Sequence, residues 1–400
     1  GPSRCLDAFN VALNECYDGK EWYTSTVQLQ LASLQFCVVC RNVASLHLTV
    51  GLDTPRYLWS DDVGDTGAHD TCWSESLPSS RVPALRTRTV TWDLSPWMLI
   101  SAGDALANAE EMLVLGRFFC YSIDSVSWPP ALQQLMLGDC FTEPVDRVQW
   151  PPSLQYLDFG YGFTQPIDSV AWPASLREIV FGRSFNQPIG RVAWPASLQR
   201  LTFGLYFNQP MDGVAWPPSL QRLTFGSHFN QSIDKVGWPS CLQQLAFGGR
   251  FNQPIERVAW PASLRELTFG HDFRQPIDGF AWPASLQQLT FGHWFNQPVE
   301  SISWPPFLRQ LTFGRSFNQP INDVTWSASL QQLVFGNMFN QPVDSVAWPE
   351  SLQQLTFGRA FLLPKDGVEW PASLQRLTLT RPPGEELPSW PGIRVCRRWK

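Results

Sequence analysis

Charge is scarce in this 400-residue chain: charged residues make up 16%, Lys and Arg total 29 against 35 Asp and Glu, and the formal net charge is −6. Basic residues are mostly Arg and never form a run, which excludes the clustered cationic stripe that phosphate binding needs, so no nucleic-acid partner is expected. Long apolar runs are absent, and none approaches the ~18 residues of a membrane-spanning helix. The start shows no signal-peptide pattern. Gly1-Pro2, with no initiator Met after it, reads as the scar of a cleaved tag, leaving open a mature secreted chain or a piece of a larger protein. Phosphate loops, dinucleotide fingerprints and Gly-x-Ser-x-Gly elbows are missing. Carboxylates that could do acid–base work, such as Asp158, Glu178 and Glu266, are separated and interspersed with Arg. The chain therefore does not read as an enzyme, and nothing in it calls for a cofactor or a metal.

Aromatics and proline are abundant, with 20 Trp, 27 Phe and 34 Pro. Trp recurs every 22 residues from Trp128 to Trp370 without an insertion. A strict short period marks a solenoid, in which each coil buries its apolar face only against its neighbours. One unit runs from Trp194 to Ala215, too short for two ordinary helices with their turns. Its single alternating segment places Leu201 and Phe203 on one face and Arg200 and Thr202 on the other, which predicts a strand. Stacked copies predict one parallel sheet with strands ~4.8 Å apart. The expected fold is a right-handed, leucine-rich-repeat-like coil with that sheet on the concave face and a mostly irregular convex side. Gly204 is expected to close the strand with a positive φ, and Phe207 to plug inward. Met211, Val214 and Trp194 should fill the outer core, with Pro195 and Pro210 fixing the return arm.

The string Leu-x-x-Leu-Thr-Phe-Gly-x-x-Phe-Asn-Gln-Pro-Ile, as in Phe185-Asn186-Gln187-Pro188-Ile189 and Phe251-Asn252-Gln253-Pro254-Ile255, resembles the FNIP repeat, a leucine-rich-like unit. The resemblance covers roughly residues 106–381, in about twelve units. It implies a leucine-rich-repeat-type fold and, by analogy, protein interaction. Asn186, Asn208, Asn230, Asn252, Asn296, Asn318 and Asn340 fill a recurrent slot and are expected to form a structural ladder. Cys120, Thr142 and Thr164 hold that slot earlier, Arg274 interrupts it, and Leu362 ends it.

Residues 3–105 are expected to cap the solenoid and 382–400 to close it. Within the first segment, 27–31 and 45–50 alternate like strands, Asp53 to Ser80 reads as a polar loop, and Asp104 to Met112 as a short helix. Nine Cys leave at least one that is free or pairs between chains. Five of them (Cys5, Cys16, Cys37, Cys40 and Cys72) crowd the N-terminal segment, a lean toward an oxidising, extracellular setting that does not decide the compartment.

Binding residues in a solenoid are sought where slots vary while the frame stays constant. The two positions between Gly and Phe do so, contributing Arg183, Tyr206, His228, Arg250, His271, Asp272, His293, Trp294, Arg315 and Met338 to one rim of the sheet. Aromatics and Arg are common interface anchors, against which stands simple drift at an exposed turn. His271 and His293 should stack, but lack a clear third ligand for a metal. The outward strand slots, rich in Gln and Thr, form a second surface whose amides either pair along the stack or grip a ligand. The function expected is a recognition module for a protein or peptide, of the receptor or immune-type ligand-binding kind. A glycan-binding solenoid and a structural or self-associating spacer are the alternatives, and oligomeric state is left open.

Overall fold

The computed structural model describes residues 27–28, 46–48, 87–92, 109–279, 281–363, 368–380 and 389–398. Fourteen strands follow one another from residue 109 onward: β4 (Ala109–Leu115), β5 (Gln134–Met136), β6 (Tyr156–Asp158), β7 (Glu178–Val180), β8 (Arg200–Thr202), β9 (Arg222–Thr224), β10 (Gln244–Ala246), β11 (Glu266–Thr268), β12 (Gln288–Thr290), β13 (Gln310–Thr312), β14 (Gln332–Val334), β15 (Gln354–Phe357), β16 (Arg376–Thr380) and β17 (Arg394–Arg398). Each pairs in parallel with the next. From β4 to β16 the register advances by one 22-residue unit, as in Leu201↔Leu223 and Leu245↔Leu267. Three earlier strands, β1 (Val27–Gln28), β2 (Leu46–Leu48) and β3 (Thr87–Trp92), extend the same sheet in chain order. No helix occurs among the described residues. The period of two read from the repeat is realised directly: in β8, Leu201 is buried between exposed Arg200 and half-buried Thr202.

The core is a set of stacked columns. Ring centroids of successive strand-end phenylalanines, Phe181 and Phe203, lie 5.7 Å apart. Those of Phe185 and Phe207, deeper in the coil, are 6.0 Å apart, and the Trp172 and Trp194 rings at the back 6.3 Å. Against the ~4.8 Å between strands, the coils widen steadily from sheet to back, and this wedge makes the sheet the concave face. Among the described residues the indole Nε1 of the repeat tryptophans, as at Trp172, Trp194 and Trp216, is buried without a hydrogen-bond partner. The column therefore holds by packing and dispersion rather than by polar contacts.

Backbone groups outside the short strands are satisfied by repeating turns. Leu198 N–H donates to Pro195 O at 3.0 Å, closing the Pro-Ala-Ser-Leu lead-in as a turn. Ser197 Oγ then donates to Leu176 O of the preceding coil at 2.7 Å. At the one unit where Ser327 replaces the lead-in proline, its hydroxyl donates to Pro306 O at 3.2 Å and so meets its own burial.

Two expectations are corrected. Gly204 does not adopt a positive φ, which among the described glycines is found at Gly160, Gly213, Gly279 and Gly392. It is required because a Cβ there would overlap the carbonyl oxygen of Gly182 one coil earlier. The same overlap recurs down the glycine column from Gly138 to Gly358, so the constraint is the approach of neighbouring coils. Second, residues 109–112 are strand rather than helix: Met112 pairs with Gln134, and Leu113 is fully buried against the stack. Tertiary pairing overrides the local helical preference of that stretch. β3 was not anticipated from its sequence. Cys5, Cys16, Cys37, Cys40 and Cys72, Asp53 to Ser80, residues 104–108 and Gly1-Pro2 lie outside the described residues. The C-terminal half-unit resumes at Ser389 and supplies β17, whose Arg394, Arg397 and Arg398 are exposed.

Candidate binding surface on the concave sheet and its rim

The recurrent Asn slot is a side-chain ladder bordering the rim. Asn186 Oδ1 accepts the backbone N–H of Asn208 at 2.9 Å. Asn208, Asn230, Asn252, Asn296, Asn318 and Asn340 each accept in the same way from the residue one unit ahead. The following Gln supplies a second rung that the sequence reading missed. Gln209 Nε2 donates to both Asn186 O and Asn186 Oδ1, at 2.9 and 3.0 Å. Arg274 donates its backbone N–H to Asn252 Oδ1 at 3.0 Å, but offers the next coil only its main-chain carbonyl, which Gln297 Nε2 reaches at 2.6 Å.

With the Asn slot bound on one side and the glycine column on the other, the two-residue turn between them projects outward. Its backbone is fixed by a further ladder: Tyr206 N–H donates to Arg183 O at 3.0 Å and Trp294 N–H to His271 O at 2.9 Å. The side chains are left to solvent. Tyr206, Trp294 and Met338 expose 43%, 54% and 52% of their surface, large values for apolar side chains in so regular a fold. Arg183, Arg250, His271 and Arg315 are also exposed, and His228, Asp272 and His293 half-buried. The same slot in earlier coils holds Phe118, 74% exposed, and Tyr161, 61% exposed. Neither was singled out from the sequence, although carrying the register back to Gly116 and Gly160 finds both.

Neighbouring coils bring some rim residues together. Arg183 Nη2 donates to Tyr206 OH at 3.3 Å, with its guanidinium 5.4 Å from the centre of the Tyr206 ring. Tyr206 in turn lies 4.8 Å from the His228 ring, and His228 Nδ1 bonds Leu205 O at 2.9 Å. His271 and His293 meet at 5.8 Å, edge to face, and His293 stacks on Trp294 at 5.1 Å. Arg315 follows His293 one coil on, and Met338 N–H donates to Arg315 O at 2.9 Å. No group of three His, Cys, Asp or Glu among the described residues is placed to hold a metal.

On the concave face, Gln244, Gln288, Gln310, Gln332 and Gln354 stand in one column through the parallel register. Their side-chain amides make no hydrogen bond to one another, so the pairing along the stack that the sequence left open is not formed. Nearer the N-terminal end, Asp158 accepts the Gly160 N–H at 2.9 Å and the Tyr156 hydroxyl at 3.3 Å. Burial still pushes the Asp158 carboxyl above its usual range, and nearby Asp139 adds to this. Tyr156 is pushed up to about 12, first by burial and then by the charges of Asp158 and Glu178.

One curved parallel sheet, short coils of constant length and a columnar apolar core define a leucine-rich-repeat-like β-solenoid. The chain carries FNIP repeats: the FNIP Repeat family model matches residues 163–206, 207–250, 251–293 and 295–325. Among curated proteins none matches the chain. Among solved structures it is similar to CroV588, a circular LRR protein, at 32% identity and a TM-score of 0.56 over 72% of this chain. It spans 49% of that protein's length. It is also similar in fold to an internalin (inlF) from Listeria monocytogenes, at 14% identity and a TM-score of 0.50, covering 75% of this chain and 84% of that one. No helix among the described residues is long and apolar enough to cross a membrane.

Proposed function

We propose that the chain is a non-enzymatic recognition module that holds a protein or peptide ligand against the concave sheet and its rim. The observation that carries this reading is the contrast between adjacent positions of one coil. Gly204, Phe207 and Asn208 are each committed to the neighbouring coil, whereas Tyr206, between them, is exposed and changes identity from unit to unit. An aromatic held in the open on a rigid backbone binds at little entropic cost. The unpaired Gln amides of the sheet would add hydrogen bonds to the same ligand. Residues 3–105 and 382–400 serve in this reading as caps of the stack.

The test is affinity capture from the native source with the intact chain and with a triple variant, Tyr206→Ala, Arg250→Ala and Trp294→Ala. All three side chains are exposed, so the circular dichroism spectrum and melting temperature should be unchanged. A partner retained by the intact chain and lost by the variant supports recognition through the rim; equal retention sinks it. A glycan ligand would instead appear on a glycan array, and a self-associating spacer as a mass that grows with concentration in light scattering.

A further inference from the structure

On the concave face arginine is set against arginine at two places, in β8 and β9 and again in β16 and β17. Arg200 and Arg222 are direct partners across adjacent parallel strands on the concave face. Like charges so placed repel, and most other coils carry a neutral Gln in that slot. Glu178 neutralises one of the two: Arg200 Nε and Nη2 both donate to Glu178 Oε2 at 2.6 Å. Arg222 has no carboxylate at ion-pair distance among the described residues, and neither has Arg250 on the rim of the next coil. The acids of these coils, Asp212, Asp234 and Glu256, sit instead on the return arm, beside Lys235 and Arg257. The repeat frame does not need these arginines, and the side-by-side placement of Arg200 and Arg222 costs stability that an anion would relieve.

We propose, on the basis of the recognition reading above, that Arg200, Arg222 and Arg250 form an anion-binding patch that takes the carboxylates of an acidic, extended segment of the protein partner. Guanidinium groups suit this task because their fixed forks meet carboxylate oxygens two at a time. The Arg183–Tyr206–His228 cluster stands beside the patch as an ordered aromatic wall. A few guanidiniums in a chain of net charge −6 match isolated carboxylates rather than a continuous phosphate backbone.

The experiment is fluorescence anisotropy with a fluorescein-labelled peptide of alternating Glu and Ser, about eight residues and ~27 Å when extended, long enough to cross three coils. An alternating Lys–Ser peptide and a single-stranded oligonucleotide are run beside it. The acidic peptide should bind, and more weakly as salt is raised. Arg222→Gln should weaken it roughly fivefold, the scale of one exposed ion pair. Glu178→Gln, which frees Arg200, should strengthen it, a gain that a merely structural role for Glu178 does not produce. No measurable binding, equal binding of the Lys–Ser peptide, or indifference to Arg222→Gln overturns the proposal. Tighter binding of the oligonucleotide replaces it with a nucleic-acid site. If the native partner is lost by the triple rim variant yet kept by an Arg200→Gln/Arg222→Gln double variant, the rim reading survives and the anion patch falls.

Discussion

The side-chain oxygen of Asn208 accepts two hydrogens from the coil ahead, the backbone N–H of Asn230 at 2.9 Å and the Nε2 amide of Gln231 at 3.1 Å. Asn208→Ala should therefore strand the partly buried Asn230 N–H, leave Gln231 Nε2 only the main-chain carbonyl of residue 208, and lower stability by about 1–3 kcal/mol, read as a shift of the urea unfolding curve. Arg274 is the natural version of that loss. Arg274→Asn should restore a rung to Asn296 and stabilise the chain by about 0.5–1.5 kcal/mol. An unchanged midpoint for both variants would show that the ladder follows from coil stacking without contributing to it.

Glycines in the repeat divide by mechanism, and alanine substitution separates them. Gly204→Ala drives a methyl group into the Gly182 carbonyl, and should cost at or above the roughly 1–3 kcal/mol usual for overpacking. Gly213 has open space around its Cα but a φ of 75°, so Ala there should cost about 1–2 kcal/mol from the left-handed backbone alone. Gly190 has neither constraint, and its alanine variant should be within about 0.5 kcal/mol of the parent. Thermal unfolding of the three variants gives the order directly.

Asp158 should leave a mark on the pH dependence of stability. Its folded-state pKa is raised, chiefly by burial, so the native state holds this proton more tightly than the unfolded chain. The resulting stabilisation is fully present below the ordinary carboxylate value, ~3.9, and is lost as pH rises through the raised value. Asp158→Asn keeps an acceptor for the Gly160 N–H without the charge. It should be more stable than the parent at neutral pH, and its stability should vary less with pH across that window. A parent and variant with parallel pH profiles would refute the assignment.

Much of the architecture was legible because the repeat states it many times over. Leu201 and Phe203, or Leu267 and Phe269, announce a strand by alternation, and their recurrence at one spacing leaves a parallel stack as the economical way to bury them. The Asn slot stood out for the same reason. Single-copy segments lacked that redundancy: 109–112 read as helix from local preference, and β3 passed unseen, because each is a strand only by virtue of the neighbour it pairs with. The rim was read from Arg183 onward, and so Phe118 and Tyr161, one and the same slot earlier in the chain, were overlooked.

The amino-acid sequence by itself determined the period, the strand, the buried set and the slots that change from copy to copy, since all of these are patterns along one coil. Tertiary structure alone decided what lies between coils. It showed that Gly204 is small to admit a carbonyl rather than to turn the chain, that Gln209 completes the rung begun by Asn186, that the concave amides stay unpaired, and that Arg200 and Arg222 stand side by side with Glu178 serving Arg200 alone. Each of these depends on a contact between residues a full unit apart, and such contacts come into being only when stacking sets the register of one coil on the next.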